Sequence, residues 1–283
     1  MDGGTQLGLD ALDPAFAPKP LLRVTPARFT TWDDCPRRYR LTYVDRPAPP
    51  RSGARAASTL GAVVHLALRS YYGLPPARRT SDAAAALVDR FWSSEGFRDA
   101  EQAAEYRLRA RDWVAEYAAG PGADATPVAL ERWVSVPTQR IIAEGRVDRI
   151  DERDGELVIV DYKTGRRPDP GDARRSAALA LYALGARHTL HRPCTRVELH
   201  HVPTGQVETT IHDRASLHEH LTRAEDAAQQ AADAADALAA GGRADALFPA
   251  RPAPRCGVCD VRRHCPEGRA AAPEREPWAS LEP

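Results

Sequence analysis

Apolar residues recur with two different periods along the chain, and the change of period marks where helices give way to strands. In the first part the spacing is helical. Thr25 followed by Pro26 is an N-cap and first-turn pair, which predicts a helix that ends near Tyr43. Three more helices are predicted, over residues 59–72, 81–97 and 100–119. The stop signal Gly120-Pro121-Gly122 ends this helical part.

The second part of the chain alternates between strands and helices. Three successive strands are predicted, over residues 126–136, 140–151 and 156–163. Asp154-Gly155 forms the tight turn between the last two. A helix, a hairpin and a long Ala-rich helix follow, over residues 172–190, 196–212 and 214–240. The order is helices, a β-meander, a helix, a hairpin and a packing helix, without an internal repeat.

Length and composition indicate a folded protein. A chain of 283 residues with 43% hydrophobic residues can bury a core, which excludes a disordered protein. We expect flexible ends at residues 1–24 and 266–283, where Pro and Gly occur without periodicity. The body, residues 25–265, is expected to be one domain. Its parts are a helical region, a sheet core, and a helix with cysteines, at residues 25–122, 123–213 and 214–265.

Charge and hydropathy restrict the partners and the compartment. The 39 basic and 39 acidic residues cancel, so an anionic partner has to meet a local basic surface. Lys19 and Lys163 are the two lysines of the chain, which makes Lys163 unusual among so many arginines. No stretch has the roughly 18 apolar residues of a membrane span, and the acidic start is unlike a signal peptide. We expect a cytoplasmic protein with no membrane association.

Charged residues follow one predicted buried strand. The apolar run at residues 157–160 is typical of a strand that is buried on both faces, and Asp161-Tyr162-Lys163 comes directly after it. Residues two apart on a strand point to the same side, so Asp161 and Lys163 lie next to each other. Taken alone, this pair would be interpreted as a salt bridge at a strand end.

The preceding strand supplies a second acid. Glu144, Arg146 and Asp148 share one of its faces, so Asp148 is expected beside Asp161 on the neighbouring strand. Two such carboxylates would hold Mg²⁺ or Mn²⁺. Lys163 would orient or help to deprotonate the attacking water and offset charge on the phosphate. The arrangement indicates metal-assisted phosphodiester hydrolysis.

Four short motifs, taken in order, resemble those of the PD-(D/E)XK nucleases, specifically their RecB-like branch. The motifs are GAVVH at 61–65, GRVD at 145–148, VDYKTG at 160–165 and LALY at 179–182. The resemblance covers most of residues 25–265 and implies an α/β fold with a central mixed sheet flanked by helices. It also implies that His65 joins Asp148 and Asp161 as a metal ligand and that Tyr182 supports catalysis by Lys163. The implied substrate is DNA, single- or double-stranded.

One position departs from the pattern of that family. Ala178 stands four residues before Tyr182, where the family usually carries a glutamine that supports the site without binding metal. A catalytically reduced DNA-binding subunit that serves a helicase or repair partner therefore stays open as an alternative, although the retained Lys163 argues against it. Glu131 or Glu144 could supply an extra carboxylate, but both also suit a solvated strand face.

Three cysteines near the end of the chain have the spacing of metal ligands. Cys256, Cys259 and Cys265 form a Cys-x2-Cys-x5-Cys run and need a fourth ligand. On spacing alone, Zn²⁺ completed by His264 or another cysteine is one solution, and a zinc-bound interaction module without nucleic acid is the corresponding function. An iron–sulfur cluster is the other solution.

The resemblance favours the cluster. Related RecB-like nucleases carry a Cys-Pro-x-x-Tyr segment near the N-terminus, and Cys35-Pro36-Arg37-Arg38-Tyr39 fits it. A 4Fe-4S cluster held by Cys35 and the three C-terminal cysteines is therefore implied. It would cross-link a loop of about 220 residues, which is worth on the order of 5 kcal/mol in the chain-entropy account. Cys194 lies outside this pattern and is expected to be a partly buried thiol.

Arginine pairs near the proposed site are weak candidates for DNA contacts. The pairs are Arg166-Arg167 and Arg174-Arg175, and guanidinium groups suit phosphates. Arginine doublets are also expected on any surface of this arginine-rich chain. No Gly-x-x-x-x-Gly-Lys phosphate loop occurs, so ATP-driven work would need a partner. The sequence predicts a metal-dependent deoxyribonuclease of exonuclease type that acts in DNA repair or recombination.

Overall fold

The computed structural model describes residues 21–123 and 125–281. The strands are β1 (Leu22–Val24), β2 (Pro127–Pro137), β3 (Ile141–Arg153), β4 (Glu156–Lys163), β5 (Cys194–His201) and β6 (Gln206–Ile211). The helices are α1 (Pro26–Asp34), α2 (Pro36–Tyr39), α3 (Ala56–Tyr72), α4 (Ser81–Phe91), α5 (Ala100–Ala119), α6 (Asp172–Arg175), α7 (Ala177–Leu190), α8 (Arg214–Ala239), α9 (Ala244–Leu247) and α10 (Pro266–Ala271). A π-helical turn, Arg40–Val44, continues α2.

Within these residues, six strands form one mixed sheet in the order β1-β3-β4-β5-β6, with β2 on the other edge of β3. β2, β3 and β4 are consecutive antiparallel strands, as the predicted meander requires. β1 runs parallel to β3, and β5 runs parallel to β4 and antiparallel to β6. The predicted α/β architecture with a central mixed sheet is confirmed.

β1 and β4 share one edge of β3 but leave an interval between them. β1 pairs with residues 141–143 and β4 with residues 149–153, while β2 lies along the opposite edge. In the described structure, residues 144–148 therefore have no strand partner on the β1/β4 edge. Residues 161–163 of β4 pair with β5 on their far side and border this interval. We call the interval the notch.

Helices cover both faces of the sheet. On one face, α3, α4 and α5 pack through residues such as Leu68 against Val160 of β4. On the other face, α7 packs through Leu179 against Ile159. β4 is therefore buried on both faces, as its apolar run predicts. None of the helices in the described ranges combines the length and apolar character needed to cross a bilayer.

Local signals in the sequence position two element ends. The Thr25 hydroxyl accepts a hydrogen bond of 3.3 Å from the Arg28 N–H and caps α1, which begins at Pro26. Asp154 and Gly155 have φ angles of 52° and 81°, in the left-handed region that the turn between β3 and β4 needs.

Three predicted helices are longer than the observed ones, and the one predicted over residues 172–190 is interrupted at Ser176, between α6 and α7. The helix predicted from Thr25 to Tyr43 is interrupted at Cys35, whose φ of −165° is extended. Pro36 explains the break, because a proline disfavours the helical conformation of the residue before it. The helix predicted over residues 81–97 ends at Phe91.

The described parts of both predicted tails belong to the folded domain. The boundary at residue 24 is wrong because residues 22–24 form β1 and pair with β3. At the other end, the Arg275 N–H donates to the Gly257 carbonyl at 2.9 Å, and the Tyr106 hydroxyl donates to the Leu281 carbonyl. The rest of the predicted tails, residues 1–20 and 282–283, lies outside the described residues.

Candidate active site

The notch brings together side chains from α3, β3 and β4. His65 of α3 places Nδ1 3.3 Å from Oδ1 of Asp148 on β3. The backbone of Tyr162 contacts both residues: its N–H donates to Asp148 Oδ2 at 3.0 Å, and its carbonyl oxygen lies 3.1 Å from His65 Nε2. One peptide segment of β4 therefore fixes both side chains.

These contacts determine the protonation of His65. A carbonyl oxygen can only accept, so Nε2 carries the proton directed at Tyr162. The lone pair of Nδ1 then faces a carboxylate oxygen, which is repulsive unless a proton or a metal ion lies between them. Burial by itself lowers the pKa of His65, but the hydrogen bond and charge of Asp148, together with the charge of Asp161, outweigh it and raise that pKa. Either a proton on Nδ1 or a metal ion would satisfy this contact.

Glu131 of β2 completes a group of three half-buried side chains that could hold a metal ion. His65, Glu131 and Asp148 each offer one ligand atom, and these atoms all lie within 4.8 Å of one another. The φ of Glu131 is 48°, a left-handed conformation that is rare for a residue other than glycine. Backbone strain of this kind concentrates at functional sites. The carboxylate also pairs with Nε of Arg146 at 2.8 Å.

Asp161 and Lys163 lie next to each other at the end of β4, as their spacing predicts. Lys163 Nζ is 2.5 Å from Asp161 Oδ2, and 48% of the lysine side chain is exposed. Burial raises the pKa of Asp161; the Lys163 ammonium opposes this effect, and the nearby Asp148 carboxylate adds to it. Of the predicted metal ligands, His65 and Asp148 belong to the group of three, and Asp161 lies beside it in contact with the lysine.

Tyr182 of α7 packs against the floor of the notch at Gly145. A Cβ atom at Gly145 would lie 2.5 Å from Cε1 of the Tyr182 ring, so a larger residue cannot be accommodated without movement. Burial raises the pKa of Tyr182, with further contributions from the Asp161 and Asp148 carboxylates, and its hydroxyl stays protonated. Ala178, one helical turn earlier, is half-buried.

A close approach of helix and strand explains the first glycine of the motif that contains His65. A Cβ atom at Gly61 would lie 3.2 Å from the Thr164 hydroxyl oxygen, just beyond the end of β4. His65 follows one turn later on the same face of α3. Because Gly61 has no side chain, α3 can lie close enough to β4 for the His65 imidazole to reach the notch.

Residues 23–266 match the PD-(D/E)XK nuclease superfamily. The chain belongs to this superfamily. The matched range contains every residue of the notch described above.

Two further comparisons place this PD-(D/E)XK protein among relatives. Its fold is similar to the crystal structure of a candidate exonuclease from Eubacterium rectale, with a TM-score of 0.53 and 14% identity, covering 92% of this chain and 94% of the other. This likeness concerns the fold alone. The Gene 69 protein of Mycobacterium phage D29 is 28% identical over 153 residues, which are 50% of this chain and 49% of the phage protein. The chain spans about half the length of this curated relative.

Four cysteines line one cavity of about 260 Å³, which shares no lining residue with the notch. They are Cys35, Cys256, Cys259 and Cys265, which carry free thiols. The same cavity is lined by the side chains of Arg37, Arg38, Arg251, Arg255 and Arg262. The Gly268 N–H donates to Sγ of Cys265 at 3.3 Å. The fold therefore brings the N-terminal cysteine to the three C-terminal ones.

Arginines of α2 connect the two ends of the domain directly. Nη2 of Arg37 lies 2.7 Å from Oδ1 of Asp245, and its Nε donates to the Phe248 carbonyl at 3.1 Å. Arg38 pairs with Asp260 at 2.9 Å. Cys194 lies apart from the cavity; it is fully buried rather than partly buried as predicted, and burial raises its pKa to about 12.

The arginine pairs proposed as DNA contacts are engaged with neighbours on the surface. Arg166 and Arg175 each lie 2.7 Å from Asp172, and Arg167 donates to the Gln206 side chain. Arg174 is exposed. Their role toward DNA stays a prediction.

Proposed function

We propose that this PD-(D/E)XK protein is a metal-dependent DNA nuclease of the RecB-like branch, and that it degrades DNA from an end. The observation that carries the proposal is Nδ1 of His65 lying 3.3 Å from the Asp148 carboxylate, beside the Asp161–Lys163 pair. A cation site next to a lysine has the charges that phosphodiester hydrolysis needs. DNA repair or recombination is the proposed process.

The donor set fits Mg²⁺ or Mn²⁺. Asp148, His65 and Asp161 would hold the ion, and Glu131 is a further candidate ligand because its ligand atom lies within 4.8 Å of those of His65 and Asp148. Carboxylate oxygens suit both ions, and one imidazole is compatible with Mn²⁺ in particular. When bound, the ion supplies positive charge to the scissile phosphate and lowers the pKa of a coordinated water.

Lys163 acts on the substrate side of the site. Its half-exposed ammonium is anchored by Asp161 and can reach a phosphate oxygen or the attacking water. A lysine is a compact charge with rotatable donors, which suits a group that has to contact a reacting oxygen. Asp161 therefore has two tasks, to orient Lys163 and to contribute to the metal site. Tyr182 offers a protonated hydroxyl from α7, at the floor of the notch.

We infer that the four cysteines hold a 4Fe-4S cluster. In the described structure, no three cysteine sulfurs lie within 4.8 Å of one another. A tetrahedral zinc ion would bring its sulfurs to about 3.8 Å. The cavity of about 260 Å³ also exceeds what one ion occupies, since a water molecule takes roughly 30 Å³. The surrounding arginines offset the charge of the thiolates.

The proposed role of the cluster is structural. Cys35 lies between α1 and α2, and the other three cysteines follow α8, so the cluster would join the helical part to the end of a single nuclease domain. Iron–sulfur chemistry also allows electron transfer, but the mechanism at the notch has no redox step to use it.

One observation favours a second function. Ala178 offers a methyl group one turn before Tyr182, where a glutamine amide would support the lysine and the substrate. A protein with this deficit would act as a cluster-containing DNA-binding subunit for a helicase or repair partner. The two functions differ in whether the isolated protein cuts DNA.

Degradation of end-labelled single- and double-stranded DNA by anaerobically purified protein tests the proposal. We expect cleavage that requires Mn²⁺ or Mg²⁺ and that is lost in Lys163→Ala. Arg192→Ala is the matched control, because it removes a surface cation that pairs with Glu152 at 2.7 Å, away from the notch. Intact, cluster-loaded wild type that cuts none of these substrates would refute the standalone enzyme and support the binding subunit.

A further inference from the structure

Beneath the notch, on the side of α3 and α5, charged and polar side chains form a closed ring, whose members are Arg149, Asp151, Arg153, Glu198, His200 and Tyr117. Asp151 joins two of the arginines: Oδ1 lies 2.9 Å from Arg149 Nε, and Oδ2 lies 2.9 Å from Arg153 Nη2. Nη1 of Arg153 then contacts Oε1 of Glu198 at 2.7 Å. These contacts make up the ionic half of the ring.

The other half consists of hydrogen bonds with a consistent direction. His200 Nε2 lies 2.9 Å from Glu198 Oε2 and donates to it. Nδ1 of His200 is therefore an acceptor, and the Tyr117 hydroxyl donates to it at 2.6 Å. Nη1 of Arg149 donates to the Tyr117 oxygen at 3.3 Å and closes the ring. The directions of these three hydrogen bonds are consistent with one another, whereas Arg149 Nε and Asp151 Oδ1 meet only as an ion pair.

Apart from Arg153, whose side chain is 33% exposed, the ring is almost completely removed from water. The side chains of Arg149 and Asp151 are 0% exposed, and those of Glu198 and His200 are 1% and 2% exposed. Desolvation of buried ion pairs offsets most of their attraction, so apolar residues of similar volume would often give equal or greater stability. Stability alone is therefore a weak reason for this arrangement.

Tyr162 connects the ring to the notch. The hydroxyl of Tyr162 accepts a hydrogen bond of 3.0 Å from Nη1 of Arg149. Its aromatic side chain packs edge-on against the aromatic side chain of Tyr117, with 5.8 Å between the centroids. The backbone of the same residue contacts His65 and Asp148, and its ring lies edge-on to the His65 imidazole at 5.7 Å. A displacement of Tyr162 would therefore move both potential metal ligands.

We propose that the buried ring positions Tyr162, so that the backbone and the aromatic side chain of Tyr162 orient His65 and Asp148 for the metal. The inference rests on the proposed function and adds to it a set of residues that touch neither metal nor substrate. Groups that orient metal ligands from the second layer typically change metal affinity or activity by about 10- to 100-fold when they are altered.

Direct measurement of Mn²⁺ binding by calorimetry tests the inference without any assay of cleavage. Tyr162→Phe removes the hydroxyl that joins the ring to the notch and keeps the aromatic ring. Tyr117→Phe opens the ring where it contacts neither His65 nor Asp148. We expect the dissociation constant for Mn²⁺ to rise about tenfold or more in both variants.

Tyr106→Phe is the matched control. Tyr106 belongs to the same apolar cluster, and its hydroxyl donates to the Leu281 carbonyl, outside the ring. This variant loses one buried hydroxyl and should keep the wild-type affinity, while unfolding in urea reports any shared loss of stability. Lowered stability with unchanged Mn²⁺ affinity in Tyr162→Phe would overturn the inference.

Two other outcomes would also overturn it, and they separate it from the proposed function. Weaker Mn²⁺ binding in Tyr162→Phe, together with wild-type affinity in Tyr117→Phe, would assign the effect to the aromatic contact between Tyr162 and His65 and not to the buried ring. Failure of the wild type itself to bind Mn²⁺ would overturn both this inference and the proposed metal-dependent activity.

Discussion

The backbone N–H of Tyr162 donates a hydrogen bond of 3.0 Å to the side chain of Asp148. The ladder between β3 and β4 ends at the pair of Arg149 and Val160, so this N–H lies beyond regular pairing. A carboxylate thus replaces a backbone carbonyl at the point where two strands separate. Because one oxygen of Asp148 is fixed in this way, the other oxygen is held toward His65.

Glu131 should contribute to metal binding although its sequence context suits an ordinary strand face. Glu131→Gln keeps the side-chain shape and removes the charge next to His65 and Asp148. We expect the dissociation constant for Mn²⁺ to rise about tenfold or more, measured by calorimetry. Glu144→Gln is the control, because Glu144 pairs with Arg23 at 2.6 Å outside the group of three. Equal affinities in the two variants would exclude Glu131 as a ligand.

Gly145 should tolerate no side chain. In Gly145→Ala the new methyl group would lie 2.5 Å from the Tyr182 ring, and overpacking of this kind costs about 1–3 kcal/mol. We expect a lower midpoint of urea unfolding together with a loss of cleavage, because Tyr182 has to move. Gly53→Ala should behave as wild type, since nothing lies within 4 Å of its added Cβ atom. A fully active and stable Gly145→Ala would contradict the packing described here.

The cysteine cavity should contain iron in the anaerobically purified protein. Cys35→Ser is expected to lose bound iron and sulfide, and with them the broad visible absorbance, and to lower the melting temperature because the cross-link between the ends is lost. Cys194→Ser is the control, since this buried thiol lies outside the cavity. Wild-type protein with one zinc ion and no iron would replace the cluster with the zinc alternative.

Acidification should lower the free energy of unfolding of the protein, because it protonates groups of the buried ring. Burial opposes the ionisation of Glu198, but its bonds to His200 and Arg153 prevail and lower its pKa from 4.5 to about 2. The unfolded state then binds more protons, so this stabilisation is complete above pH 4.5 and is lost as the pH falls toward 2. The stabilisation that comes from the lowered pKa of Glu198 amounts to about 3 kcal/mol.

Protonation of His200, in the same ring, should cause a second loss of stability at a higher pH than the loss caused by Glu198. Burial lowers the pKa of His200 below 6.5, and the Arg149 charge acts in the same direction against the opposing effect of Glu198. Stability is therefore expected to decrease from about pH 6.5 downward. Urea unfolding at several pH values measures this dependence, and Glu198→Gln should be less stable at pH 7 with a flatter profile. An unchanged profile in that variant would show that other groups cause the acid sensitivity.

Much of the fold could be predicted from local patterns. The Thr25 cap, the Asp154-Gly155 turn and the apolar run of β4 each depend on residues that are near one another in sequence. The break at Cys35 was missed because a helical period was continued through Pro36, although the proline was itself a sufficient signal. The strand at residues 22–24 was missed because three residues carry no period of their own.

The sequence by itself determined the elements of the site that lie within single segments. Asp161 and Lys163 share a side because residues two apart on a strand always do, and the motifs of a known family pointed to His65 and Asp148. Tertiary structure decided the rest. Glu131 joins the group through pairing between strands and an unusual backbone angle, and Arg149 reaches Tyr162 only after helices and sheet have packed. Such contacts depend on register and distance between remote segments, which local residue patterns do not specify.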